Sequence, residues 1–151
     1  MIDTKKFKGI IDSFYQHLLK THDEITSIKL ADDKWSLREI IGHLIDSASN
    51  NHQRFVRLQF GDLLDFPAYD GEEWVRIQKY TNAQWDVLVE IWYRYNCLIL
   101  HIIENIYETA YKNVWIKNED AIPLERLVNE YYRHIELHIE HFNGRYAEIS
   151  K

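Results

Sequence analysis

The sequence predicts an all-α chain built as a four-helix bundle. Three observations carry this expectation. Only five Gly and two Pro interrupt 151 residues, too few breakers for many short strands. Apolar residues recur at three- and four-residue spacing over four long stretches, the signature of helices with one buried face. Helix-start signals stand ahead of those stretches.

The first helix is expected over residues 4–22, with Phe7, Ile10, Ile11, Phe14, Leu18 and possible continuation to Ile25 as its stripe. The stretch "KLADDKW" breaks the pattern. The second begins at "SLRE", where Ser36 and Glu39 form a capping box. Leu37, Ile41, Leu44, Ala48, Phe55 and Leu58 carry its seam to about residue 60. "GDLLDFPAYDG" then makes a loop, with Gly61, Pro67 and Gly71 as breakers, and "EEWVRIQKY" reads as a short helical turn. The third start is "TNAQ", again with capping-box spacing from Thr81 to Gln84, followed by Trp85, Leu88, Trp92, Tyr95, Ile99, Ile102 and Ile106 on one stripe. The stretch "YETAYKNVWIKNEDAI" is irregular, with an extended piece around residues 114–116. Pro123 suits the first turn of the fourth helix, where its missing N–H is harmless, and that helix runs to about residue 146.

Composition excludes several classes. A net charge of -6 with no basic stripe argues against nucleic acid. No window approaches the ~20 apolar residues that span a bilayer, and the N-terminal stretch lacks a signal-peptide h-region. The cytoplasm is the default location, and the absence of repeats or linkers argues for a single domain over residues 1–151. With 46% hydrophobic residues the chain can bury a real core. The lone cysteine, Cys97, lies in the apolar run "NCLILHII" and reads as a packed thiol.

The chemistry concentrates in "YYRHIELHIEHF". At about 100° per residue, His134, His138 and His141 share one stripe with Leu127 and Tyr131, inside or at the edge of the buried face. An HxxxH pair can aim two nitrogens at one point, but core imidazoles held by hydrogen bonds fit the pattern too. His134 and His141 stand about 10.5 Å apart along the axis, so a further ligand from another helix is needed. In "WSLREIIGHLIDSASNNHQRF", His43 shares a stripe with Ile40, Ser47, Asn50 and Arg54, and Gly42 permits a close helix contact. A histidine between isoleucine and leucine needs ligation or a hydrogen bond to be there. His17, His22, His52 and His101 lack partners at ligand spacing and read as surface or structural residues.

"WSLREIIGHLIDS" together with "YYRHIELHIEHF" resembles the DinB-like superfamily, especially its YfiT-like branch, over almost the whole chain. The resemblance implies one divalent metal, zinc or nickel, on His43, His134 and His138, with His141 behind them. It also implies an up-down-down-up bundle, often a homodimer. Relatives include enzymes read as hydrolases and as thiol S-transferases using bacillithiol or mycothiol. Three neutral imidazoles leave a coordination position open, as in catalytic sites. The expectation is therefore a metal-dependent enzyme acting on a small molecule, a hydrolase or a thiol S-transferase with a thiol cosubstrate. The alternatives are a non-catalytic, metal-binding dimeric stress-response or interaction module, and a helical interaction protein whose histidines are polar core residues.

Further candidates surround this set. Asp46 reads either as a base or imidazole-orienting group or as a solvated helix charge. Tyr131, one turn before His134, reaches the ligands or simply packs. Asn50 and Arg54 lie behind the ligands, with Arg54 suited to an anionic substrate group or a surface ion pair. Tyr69 and Trp74 are candidate pocket walls.

Overall fold

The computed structural model describes residues 2–151. Helix α1 spans Thr4–Leu19, and Asp3 caps it by accepting the Lys6 amide at 2.9 Å. It ends earlier than periodicity suggests. A turn intervenes, and a separate short helix, α2 (Asp23–Thr26), follows. Helix α3 spans Leu37–Arg57 behind the expected capping box of Ser36 and Glu39. Helix α4 covers Gly71–Gln78, longer than a single turn, and ends at Lys79 in the left-handed region at φ 51°.

The expected capping box at Thr81 does not form. A 3₁₀ turn occupies Tyr80–Asn82, and α5 (Trp85–Glu104) starts after Gln84, which makes no side-chain cap. The Thr81 hydroxyl instead meets Ser36 Oγ at 3.3 Å. Cys97 is exposed rather than packed. Its apolar sequence neighbours Ile99 and Leu100 face the core, while Cys97 and Leu98 point away. Sequence adjacency on a helix does not share a face.

The irregular stretch resolves into a 3₁₀ turn, Glu108–Lys112, and an antiparallel hairpin of β1 (Val114–Lys117) and β2 (Asp120–Pro123). Its two-residue turn uses Asn118 at φ 57°, a conformation Asn tolerates better than most residues. Pro123 closes β2 and stands at the N-cap of α6 (Leu124–Ile149), one position outside the helix.

The four long helices α1, α3, α5 and α6 enclose one core. Helix α3 packs against both α5 and α6, and α1 packs chiefly against α5. Leu18, Leu37, Ile41, Phe55, Trp92, Tyr132 and Phe142 are fully buried there. Each apolar side chain so placed contributes roughly 1.5–3 kcal/mol by removal from water. The hairpin also captures the loop after α3: Leu63 exchanges backbone hydrogen bonds with Val114 and Ile116, and Trp115 Nε1 donates to the Phe66 carbonyl at 2.8 Å. Among the described residues no helix is long and apolar enough to cross a membrane.

Candidate metal centre

The contact between α3 and α6 brings His43 opposite the histidines of the last helix. One ring nitrogen from each of His43, His134 and His138 lies within 4.8 Å of the other two. His43 Nε2 and His134 Nε2 are 3.1 Å apart. A single proton can join only two of three converging nitrogens, whereas one cation satisfies all three. Zn–N bonds of about 2.0–2.1 Å set nitrogens in a tetrahedral set roughly 3.3 Å apart, which the His43–His134 pair matches. The donor set therefore fits a divalent metal.

Electrostatics keep these donors available. Burial, with neighbouring His134 and His141, pulls His43 down to about 4. Burial, with His134, His43 and His141, pulls His138 down to about 3. His134 is lowered by burial alone. At neutral pH each ring is thus uncharged, with one N–H and one nitrogen lone pair free to coordinate.

Neighbours fix the ring orientations. Ser47 Oγ lies 3.4 Å from His134 Nδ1, and His141 Nδ1 lies 3.3 Å from His138 Nδ1. His141 stands behind the cluster rather than in it. Trp35 lies over His43, His138 and His141, with centroid separations of 4.9, 6.3 and 6.1 Å. The buried Arg145 holds the Trp35 carbonyl in place. Gly71, at the start of α4, also abuts His43: a Cβ there would stand 3.0 Å from His43 Cε1 and 3.3 Å from Nδ1. His43 Nδ1 is buried without a hydrogen-bond partner, so on that edge packing alone holds the ring.

The remaining sequence candidates separate. Asp46 is buried, and its carboxylate accepts from Tyr80 Oη at 2.6 Å and from Gln78 Nε2 at 2.9 and 3.0 Å. Burial raises its pKa and these donors partly offset the rise. Gly42 serves this network: a Cβ on it would fall 2.2 Å from the Tyr80 ring, so the close approach it permits is to Tyr80. Tyr131 Oη donates to Asn96 Oδ1 at 2.5 Å, and burial holds the phenol protonated. Asn50 turns back to the Asp46 carbonyl at 2.8 Å.

A cavity of about 200 Å³ opens beside His134, lined by Ser47, Asn51, Arg54, Tyr69, Trp115 and Tyr131 among others. Tyr69 lines it, and Trp74 packs against Tyr69 at 5.2 Å rather than lining it. Larger clefts of about 600 and 640 Å³ lie elsewhere and contain none of the clustered histidines. Ser47, Trp35, Gly71, Asn51 and Trp115 carried no sequence expectation of a place at the site. Ser47 was the most accessible to pattern, sitting on the His43 stripe one turn along.

No protein-family model and no curated protein matches the sequence. Two solved structures share the fold. YfiT from Bacillus subtilis, described as a probable metal-dependent hydrolase with an unusual four-helix bundle topology, aligns with a TM-score of 0.82 at 17% identity, over 99% of this chain and 91% of that one. The mycothiol-dependent maleylpyruvate isomerase aligns with a TM-score of 0.70 at 10% identity, over 91% of this chain and 59% of that one. The DinB-like resemblance therefore holds at the level of the four-helix bundle fold.

Proposed function

We propose that the chain is a metal-dependent enzyme that holds one divalent cation on His43, His134 and His138 and hydrolyses a small-molecule substrate. The observation that carries this reading is the convergence of three neutral imidazoles, one buried and two half-buried, with a cavity opening beside His134. All-imidazole donors suit zinc or nickel. A cation held by three neutral ligands retains its charge and lowers the pKa of a bound water or thiol.

The chain's own residues supply orientation and exclusion of water. Ser47 and His141 set the rings of His134 and His138, as partners behind metal ligands commonly do. Trp35 and Gly71 both pack against His43. Tyr131 stays protonated, donates to Asn96 Oδ1 and shapes the cavity wall. With both carboxylate oxygens occupied by Gln78 and Tyr80, Asp46 acts as a positioning residue for the segment that delivers Gly71 to His43.

The likeness to YfiT, a probable metal-dependent hydrolase, supports hydrolysis as the first reading. The likeness to a mycothiol-dependent isomerase supports thiol transfer as the second. Elemental analysis after incubation with zinc and nickel, followed by assays with esters, amides, and thiols paired with electrophiles, tests both. One equivalent of metal and metal-dependent turnover are expected. A protein that stays metal-free under these conditions would sink the proposal.

A further inference from the structure

Arg54 is the one cation of α3 that the fold buries, at 6% exposure. Among the described residues no carboxylate lies within ion-pair distance of it. Among those residues its only hydrogen bond is a long one, 3.4 Å from Nη1 to Asn51 Oδ1, and its Nε is buried without a partner. The guanidinium lies 4.2 Å from the Trp115 ring centroid, with Phe66 and Tyr69 about 6.0 and 5.9 Å away. Stacking on aromatic faces compensates part of the charge but leaves the in-plane donors open. A buried charge without a counter-ion is costly, and an arginine in that state presents a fork shaped for a carboxylate.

Its surroundings restrict what would fill that fork. Arg54 lines the same cavity as His134 and Ser47. The walls are otherwise largely aromatic and aliphatic, from Tyr69, Trp115, Ile122, Leu127 and Tyr131. Lys117 and Glu130 are exposed at the rim, where Glu130 pairs with Arg126 at 2.7 Å, so Arg54 is the one buried charge of the lining. A volume of about 200 Å³ holds roughly six water molecules' worth of space, the bulk of a short organic acid. Among the described residues no second buried cation lines the cavity to balance a dianion.

We infer that Arg54 is the anion-binding residue of the substrate pocket, and that the substrate is a small monocarboxylate anchored on this guanidinium with its reacting group toward His134. This deepens the metal-enzyme reading and rests on it for the reaction; the carboxylate subsite itself needs no metal.

The test is calorimetric titration of the full-length protein with propionate, propionamide and inorganic phosphate, in metal-free and zinc-loaded forms. Working metal-free removes direct coordination of the carboxylate to the cation. Propionate is expected to bind at least about tenfold more tightly than its uncharged amide, the value of a charge-assisted pair. Arg54→Met should reduce that preference to within about twofold while zinc still binds at one equivalent, and Arg54→Lys should restore part of it. Equal affinity of the wild-type protein for propionate and propionamide would overturn the inference, whether or not the variants fold. So would a preference that survives Arg54→Met, or phosphate binding more tightly than propionate. The two readings fail separately. A wild-type protein that takes up zinc but ignores propionate loses the subsite, and one that prefers propionate but refuses zinc keeps it and loses the metal centre.

Discussion

Helix α3 buries two polar regions one turn apart, and they are built on opposite principles. At Asp46 both carboxylate oxygens are met by donors from Gln78 and Tyr80, and the tyrosine ring fits only because residue 42 is glycine. At His43 the ring nitrogens converge with those of His134 and His138 without enough protons to join them, and Nδ1 has no partner. A saturated buried network specifies a fold. A convergent, under-satisfied set of neutral donors is arranged for something that binds. The contrast distinguishes structural polarity from functional polarity within a single helix.

The strongest way to break this contrast is to remove one donor. His138→Ala should weaken zinc binding by more than the roughly 10–100-fold seen for a partner behind the ligands, leaving far less than one equivalent after dialysis, while far-UV circular dichroism stays helical. Retention of one equivalent would place the metal elsewhere. Acid comes next. His43 and His138 titrate near 4 and 3 in the fold against about 6.5 when unfolded. Between those values the unfolded chain binds more protons, so stability is complete above about pH 6.5 and is lost as pH falls toward 4 and 3. Asp46, shifted upward, opposes this trend, because its folded carboxyl holds a proton above 3.8. Denaturant midpoints of the metal-free protein measured from pH 7.5 to 4.5 should therefore fall, and His43→Ala should flatten the slope.

Periodicity made the four long helices legible, and Ser36 with Glu39 marked the start of α3 correctly. A helical wheel placed the histidines of α6 at the inward face, and the DinB-like resemblance singled out His43, His134 and His138, the three whose ring nitrogens converge in the fold. What failed depended on contacts remote in sequence. The Thr81 cap lost to a 3₁₀ turn that follows the left-handed Lys79. Asn50 and Asn51 both lie within a turn of Arg54 and both bond back to their own helix, and only packing decides that Asn51 also lines the cavity. The Arg54 environment depends on Trp115, brought in by a hairpin whose register no local pattern announces.

The structural half of the comparison sharpens with Gly42→Ala. The added methyl meets the Tyr80 ring at 2.2 Å, and overpacking of this kind costs about 1–3 kcal/mol. Urea denaturation should show that loss, while the zinc stoichiometry of the folded protein stays at one equivalent. Loss of zinc at unchanged stability would mean that the Asp46 network is part of the metal site.

The smallest expected effect probes the seam between the two regions. Ser47 sits on α3 one residue beyond Asp46, yet its hydroxyl turns to His134 Nδ1 at 3.4 Å. That long contact orients a ligand without being one. Ser47→Ala should lower zinc affinity by about tenfold, the low end for such partners, and leave the urea midpoint of the metal-free protein nearly unchanged. Competition against a chromophoric chelator resolves a change of that size. An unaltered affinity would show that packing between α3 and α6 holds His134 without help. It would also confine the functional half of the comparison to the imidazoles themselves.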